Sequence, residues 1–241
     1  MIRPWYAAAP RRVALAVSLA ALAPPRAGAQ TRASGPGAAT AGHVVLLGDS
    51  TFDNKAYVAG GPDVVTQLRG RLPAGWRCTL AAVDGAMAGD VPRQLDRAAR
   101  DATHLVISVG GNDALRQEAV LREPARSVGE ALARLAQVRD RFHEDYRAML
   151  DAILPRALPM AVCTIYDPRF PDPARQRLAT AGLALFNDVI IREGSARSQV
   201  LIDLRLVCDQ PEDLANSIEP SIQGGGKIAA AIARFVTEHR V

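Results

Sequence analysis

Histidine is scarce in this chain, with four in 241 residues, and cysteine is scarcer, with three. Neither CxxC nor HExxH spacing occurs, so no metal site is indicated. An odd number of cysteines allows at most one disulfide within the chain. Cys78, Cys163 and Cys208 read equally well as small buried hydrophobes. Acidic residues are missing altogether from positions 1–29, which hold Arg3, Arg11, Arg12 and Arg26. Those four arginines carry the whole formal charge of +4, so residues 30–241 are neutral. A neutral body lacks the electrostatic footprint of a nucleic-acid binder. At 241 residues, 49% of them hydrophobic, the chain has material for one good-sized domain with its own core.

Long hydrophobic runs are also absent. The longest, Val13–Ala23, is too short to span a bilayer. It follows a basic stretch, meets Pro24-Pro25 and leads to Ala27-Gly28-Ala29, which is the pattern of a secretory leader cut before Gln30. The expectation is a periplasmic or secreted protein with no stable membrane insertion after cleavage. Residues 30–42 (QTRASGPGAATAG) are small and polar and read as a flexible tether. The folded domain is expected over 43–241.

Within it, continuous apolar runs alternate with helical patterns. The runs are His43–Leu47, Cys78–Val83, His104–Val109, Met160–Ile165 and Val200–Leu204. Continuous rather than alternating apolarity marks strands covered on both faces. The clearest helix joins Val128, Leu132, Leu135, Val138, Phe142, Tyr146, Met149 and Ile153 on one face, and further helices are expected over about 172–196 and from Ser221 onward. This predicts a three-layer α/β/α sandwich on a mostly parallel five-stranded sheet, flavodoxin-like in layout. In such sheets the site lies beyond the C-terminal strand ends.

Three strand ends carry candidate chemistry. The first reads Leu47-Gly48-Asp49-Ser50, placing a hydroxyl just past a tight turn. The second reads Val83-Asp84-Gly85. The third reads Val109-Gly110-Gly111-Asn112-Asp113, offering backbone N–H groups and a side-chain amide as oxyanion donors. Each alone is an ordinary turn or helix cap. In this order they resemble the GDSL/SGNH hydrolase family. The resemblance implies Ser50 as nucleophile, with Gly85 and Asn112 as oxyanion donors, and Gly89 as the alternative glycine. It implies a carboxylic ester as substrate, whether small acyl, glycan or lipid, and no cofactor. Asp49, Asp113 and Tyr166 are expected to line the substrate pocket. The short loops after the early strands suggest an open, shallow site.

The chain departs from the family at its last block, Asp-x-x-His-Pro. Here Asn216 stands for the Asp and Glu219 for the His, followed by Pro220-Ser221. His43 and His104 begin strands at the opposite rim, His143 is mid-helix and His239 is terminal, so none is placed to serve Ser50. Two readings stay open. In one, Glu219 is the general base; at a reference pKa of ~4.3 against ~6.5 for His it starts about 3 kcal/mol weaker, and burial would narrow the gap. A neutral Asn216 then fits, and Asp213 is a possible proton-sharing partner. In the other, catalysis is lost and the pocket binds an acyl or glycan ligand.

Overall fold

The computed structural model describes residues 41–98 and 100–239. The leader expected over 1–29 and nearly all of the tether expected over 30–42 lie outside the described residues. Five strands form one parallel sheet: β1 (His43–Gly48), β2 (Arg77–Leu80), β3 (His104–Ser108), β4 (Met160–Cys163) and β5 (Val200–Ile202). Their order is β2-β1-β3-β4-β5. Among the described residues the flanking α-helices are α1 (Val64–Arg69), α2 (Val91–Arg97), α3 (Gly111–Arg116), α4 (Val128–Ile153), α5 (Pro173–Ala196), α6 (Leu204–Val207) and α7 (Ile222–Glu238). This is the α/β/α layout that the alternation of runs implies, with flavodoxin-like strand order.

Because β1 lies inside the sheet, between β2 and β3, every one of its residues is buried. Alternate side chains serve opposite layers. Val44 and Leu46 pack with Val64 and Leu68 of α1 and Ile228, Ile232 and Phe235 of α7. Val45 and Leu47 pack with Val91 of α2, Phe142 and Met149 of α4 and Ile190 of α5. Each such burial is worth about 2 kcal/mol, so the strand that leads to Ser50 is anchored on both faces. All three cysteines are unpaired and buried, and burial pushes the Cys78 and Cys208 thiols up to about 12.

β1 covers its whole apolar run, but β2 to β5 are shorter than theirs. After Leu80 the amides of Ala81 and Ala82 both donate to the Leu46 carbonyl, so the ladder loses its register there although the run continues to Val83. The long helix also differs from expectation. Its expected apolar face is buried from Val138 to Ile153, but Val128 is 78% and Leu132 60% exposed. With 26 residues α4 is ~39 Å long, while the five-residue β3 spans only ~17 Å. As a crossover between parallel strands, α4 starts at the C-terminal rim, and its first turns run past the sheet. No helix among the described residues is long and apolar enough to cross a membrane.

The turn after β1 depends on Gly48. Its φ is +124°, and a Cβ there would stand 1.7 Å from the Ser108 carbonyl oxygen. That carbonyl also accepts the Asp49 amide at 3.1 Å. Gln94 clamps the same residue, accepting from the Gly48 N–H at 2.7 Å and donating to its carbonyl at 2.8 Å. Gly48→Ala is therefore expected to cost about 3 kcal/mol or more, measured as a loss of urea-unfolding free energy. A cost below about 1 kcal/mol would mean that the turn tolerates a side chain.

Candidate active site

Ser50 and Glu219 meet at the C-terminal rim of the sheet. Ser50 Oγ donates to Glu219 Oε1 at 3.2 Å. Both residues are buried, Glu219 to 6% exposure. Its other oxygen, Oε2, is buried with no hydrogen-bond partner among the described residues. Burial raises the Glu219 pKa; the Ser50 hydrogen bond opposes the shift, and the charge of Asp84 adds to it. An ionised carboxylate with one unsolvated oxygen is a stronger proton acceptor than an exposed one.

A tight hairpin presents the carboxylate. Leu214 bridges Pro220, the Ala215 amide donates to the Glu219 carbonyl at 2.7 Å, and the Ser221 amide donates to that of Asp213 at 2.8 Å. At its tip Asn216 Oδ1 accepts the Ile218 and Glu219 amides, each at 2.9 Å. Asn216 thus shapes the loop through local side-chain to backbone bonds. Asn54 joins this hairpin to the loop that carries Ser50, donating to the Pro220 carbonyl at 3.1 Å while accepting the Val64 amide at 3.0 Å. Asp213 is not a proton-sharing partner of Glu219. Its carboxylate is occupied by Lys227 at 2.7 Å, Gln223 at 3.0 Å and the Gln210 amide at 2.9 Å. Burial alone would raise its pKa, but these partners hold it below the ordinary value.

Asn112 lies on the same groove as Ser50 and Glu219. Its Nδ2 donates to the Ala86 carbonyl at 3.0 Å, leaving the second amide hydrogen free of that bond. Gly85, next to Ala86, lines a neighbouring depression with Asp84, Arg93 and Gln94. Its φ of +79° belongs to the turn after β2, and a Cβ there would meet nothing within 4 Å. Tyr166 lines the groove with its ring, while its hydroxyl donates to the Ile218 carbonyl at 2.6 Å and so braces the loop carrying Glu219. Asp113 is not among the residues lining the groove. Its carboxylate accepts the Ala88 amide at 3.2 Å, and burial pushes its pKa up to about 6.

The four histidines all lie elsewhere. His43 contacts Asp101 and Thr79, His104 the His239 carbonyl, His143 Glu193, and His239 the Phe235 carbonyl. None lines the groove.

Asp49 lines the groove but is almost wholly buried, with Oδ1 accepting the Thr51 amide at 3.0 Å. Burial pushes its pKa from 3.8 up to about 7, against the lowering effect of Thr51 and with help from Glu219 and Asp113. A raised acid binds its proton more tightly in the folded state. Its contribution to stability is therefore complete below the unfolded value and is lost as pH rises toward about 7. Between about pH 5 and pH 8 wild type is expected to lose about 2–3 kcal/mol through this group. Asp49→Asn, which keeps an oxygen for Thr51, should lose correspondingly less, as read by urea denaturation at the two pH values. Equal losses in the two proteins would refute the assignment.

The groove is built from more than the short loops after the early strands. Its walls come from α3, the 118–122 turn, α4 and α5, and are largely apolar. Sequence reasoning missed these residues. The available signal was the mismatch between a 26-residue helix and the short strands beside it.

A parallel-sheet rim bearing a buried serine, a facing carboxylate and an apolar groove is the layout of an ester hydrolase. The particular family follows from comparison: the profile of the GDSL-like lipase/acylhydrolase family matches residues 46–224, and the chain belongs to that family. Solved structures share its fold. An extracellular lipase from Streptomyces rimosus is 19% identical, with a TM-score of 0.59, covering 82% of this chain and 99% of its own. A lipase/acylhydrolase from Enterococcus faecalis is 20% identical, TM-score 0.56, covering 82% and 96%. A catalytic mutant of an acetylxylan esterase from Geobacillus stearothermophilus is 17% identical, TM-score 0.57, covering 81% and 94%. Comparison with curated proteins finds no match.

Proposed function

We propose that the protein is an exported serine esterase that hydrolyses carboxylic esters through an acyl-enzyme on Ser50, with Glu219 as general base. The observation that carries this reading is the bond from Ser50 Oγ to Glu219 Oε1 in the groove, beside a second carboxylate oxygen with no partner. Glu219 takes the hydroxyl proton as Ser50 Oγ attacks the ester carbonyl. The Ser50 N–H group and the free Asn112 amide hydrogen stabilise the oxyanion. Glu219 then returns the proton to the departing alkoxide. A water, deprotonated by the same carboxylate, hydrolyses the acyl-enzyme to release the acid and restore Ser50.

The test is turnover of p-nitrophenyl esters by the domain beginning at Gln30. Hydrolysis with a burst of p-nitrophenol followed by a slower steady state is the expected result; no turnover of any ester would refute the enzyme reading. Export rests on the basic, apolar and small-residue sequence over 1–29. Expression in a bacterial host should yield a periplasmic or secreted product whose intact mass begins at Gln30. Recovery of the full-length chain from the cytoplasm alone would refute it.

A further inference from the structure

The groove continues well past Ser50 and Glu219. It runs on between the 118–122 turn, α4 and α5, where Leu121, Leu135, Val138, Gly182, Leu183 and Phe186 line it. We propose that this extension holds an aliphatic acyl chain of the ester, and that Gly182 sets how long that chain is. The inference rests on the ester-hydrolase reading above and names its substrate class.

Three observations carry it. First, the extension is continuous with the nucleophile, so an acyl carbonyl at Ser50 directs its tail along it. Second, the α4 and α5 walls along it, Leu135, Val138, Leu183 and Phe186, offer no side chain to satisfy hydroxyl groups, and the polar lining at this end is confined to Gln117 and Glu118. Glu118 is the only charged residue at this end of the lining, and its carboxylate is held by Arg175 at 2.8 and 2.9 Å and Arg122 at 3.1 Å. A sugar in that space would lose its hydrogen bonds to water without replacement, and an acetyl group would leave the space unfilled. Third, Gly182 sits inside α5, where glycine is a poorer helix former than alanine. Nothing in the packing demands it. A Cβ at Gly182 would meet only Leu121 Cδ1, at an ordinary 4.0 Å, whereas a Cβ at Gly194 of the same helix would collide with Val162 at 2.8 Å. What Gly182 provides is space, opposite Leu121, in the wall of the groove.

The experiment has two arms. In the first, kcat/KM is measured for p-nitrophenyl acetate, butyrate, hexanoate and octanoate with wild type, Gly182→Leu and Leu121→Phe. Wild type should gain about fourfold per added methylene over the first steps, so that octanoate exceeds acetate by about a hundredfold. Both variants should lower the octanoate-to-acetate ratio at least tenfold. A wild-type preference for acetate, or ratios unchanged in both variants, would overturn the proposal. In the second arm, sodium decanoate and sodium acetate are titrated calorimetrically into Ser50→Ala, with and without Gly182→Leu. Decanoate alone should bind, and more weakly in the double variant. If no ester is turned over but decanoate binds in this Gly182-dependent way, the hydrolase reading fails and the chain-binding groove stands. If decanoate does not bind, the groove assignment fails whatever the esterase activity.

Discussion

Glu219→Gln will lower kcat toward a p-nitrophenyl ester by about a thousandfold, the usual worth of a positioned general base. Glutamine keeps the shape of the side chain and an oxygen to accept the Ser50 hydroxyl, but it cannot take the proton. Folding should not suffer. The substitution removes a buried charge whose Oε2 has no partner, so unfolding free energy at neutral pH should hold or rise. The pH profile separates this role from a structural one. Glu219 must be ionised to act, and burial raises its pKa above the ordinary 4.5. Wild-type kcat/KM should therefore fall as pH falls, along an acid limb lying above that value. The charge of Asp84 adds to that rise, so removing it with Asp84→Asn should move the limb to lower pH. A Glu219→Gln enzyme with wild-type kcat and an unchanged limb would show that Ser50 relies on another base.

How much of this could be read from residues alone varies by element. The run HVVLL before Gly48-Asp49-Ser50 located β1 and its rim because a strand buried on both faces must be apolar throughout. Glu219 could be placed because Pro220, the capping Ser221 and the helix after it frame the position. Other features depend on lengths and packing that one-dimensional patterns do not carry. Val128 and Leu132 repeat at the same spacing as Val138 and Phe142, so they read as one core face; only the short sheet leaves them exposed. The groove is assembled from α3, the 118–122 turn, α4 and α5, with each residue unremarkable within its own helix. Asp213 looked free to pair with Glu219, but Lys227, fourteen positions on and one face along α7, takes it. The unpartnered Oε2 is likewise invisible in sequence, because it reflects how closely the 213–221 hairpin closes over Ser50.

Ser50→Ala will abolish covalent labelling by a fluorophosphonate and lower ester turnover by about 10⁵-fold, the largest loss expected from any single substitution here. The cost exceeds that of Glu219→Gln because the two changes remove different things. Without its base, the hydroxyl still attacks slowly, beside intact oxyanion donors. Without the hydroxyl, no acyl-enzyme forms, and hydrolysis falls to direct attack by water. The double variant Ser50→Ala/Glu219→Gln should therefore be little worse than Ser50→Ala alone, since a base with no nucleophile has nothing to activate. That non-additivity is the signature of a working pair, and two independent structural residues would instead show losses that multiply. Ser50→Ala should cost about 1–3 kcal/mol of stability at neutral pH, because it takes the hydroxyl partner from a buried carboxylate whose other oxygen already has none. If wild type is not labelled and Ser50→Ala matches its turnover, any hydrolysis arises elsewhere. A protein that still bound decanoate would then be using the Ser50–Glu219 contact to close a binding groove rather than to cleave an ester.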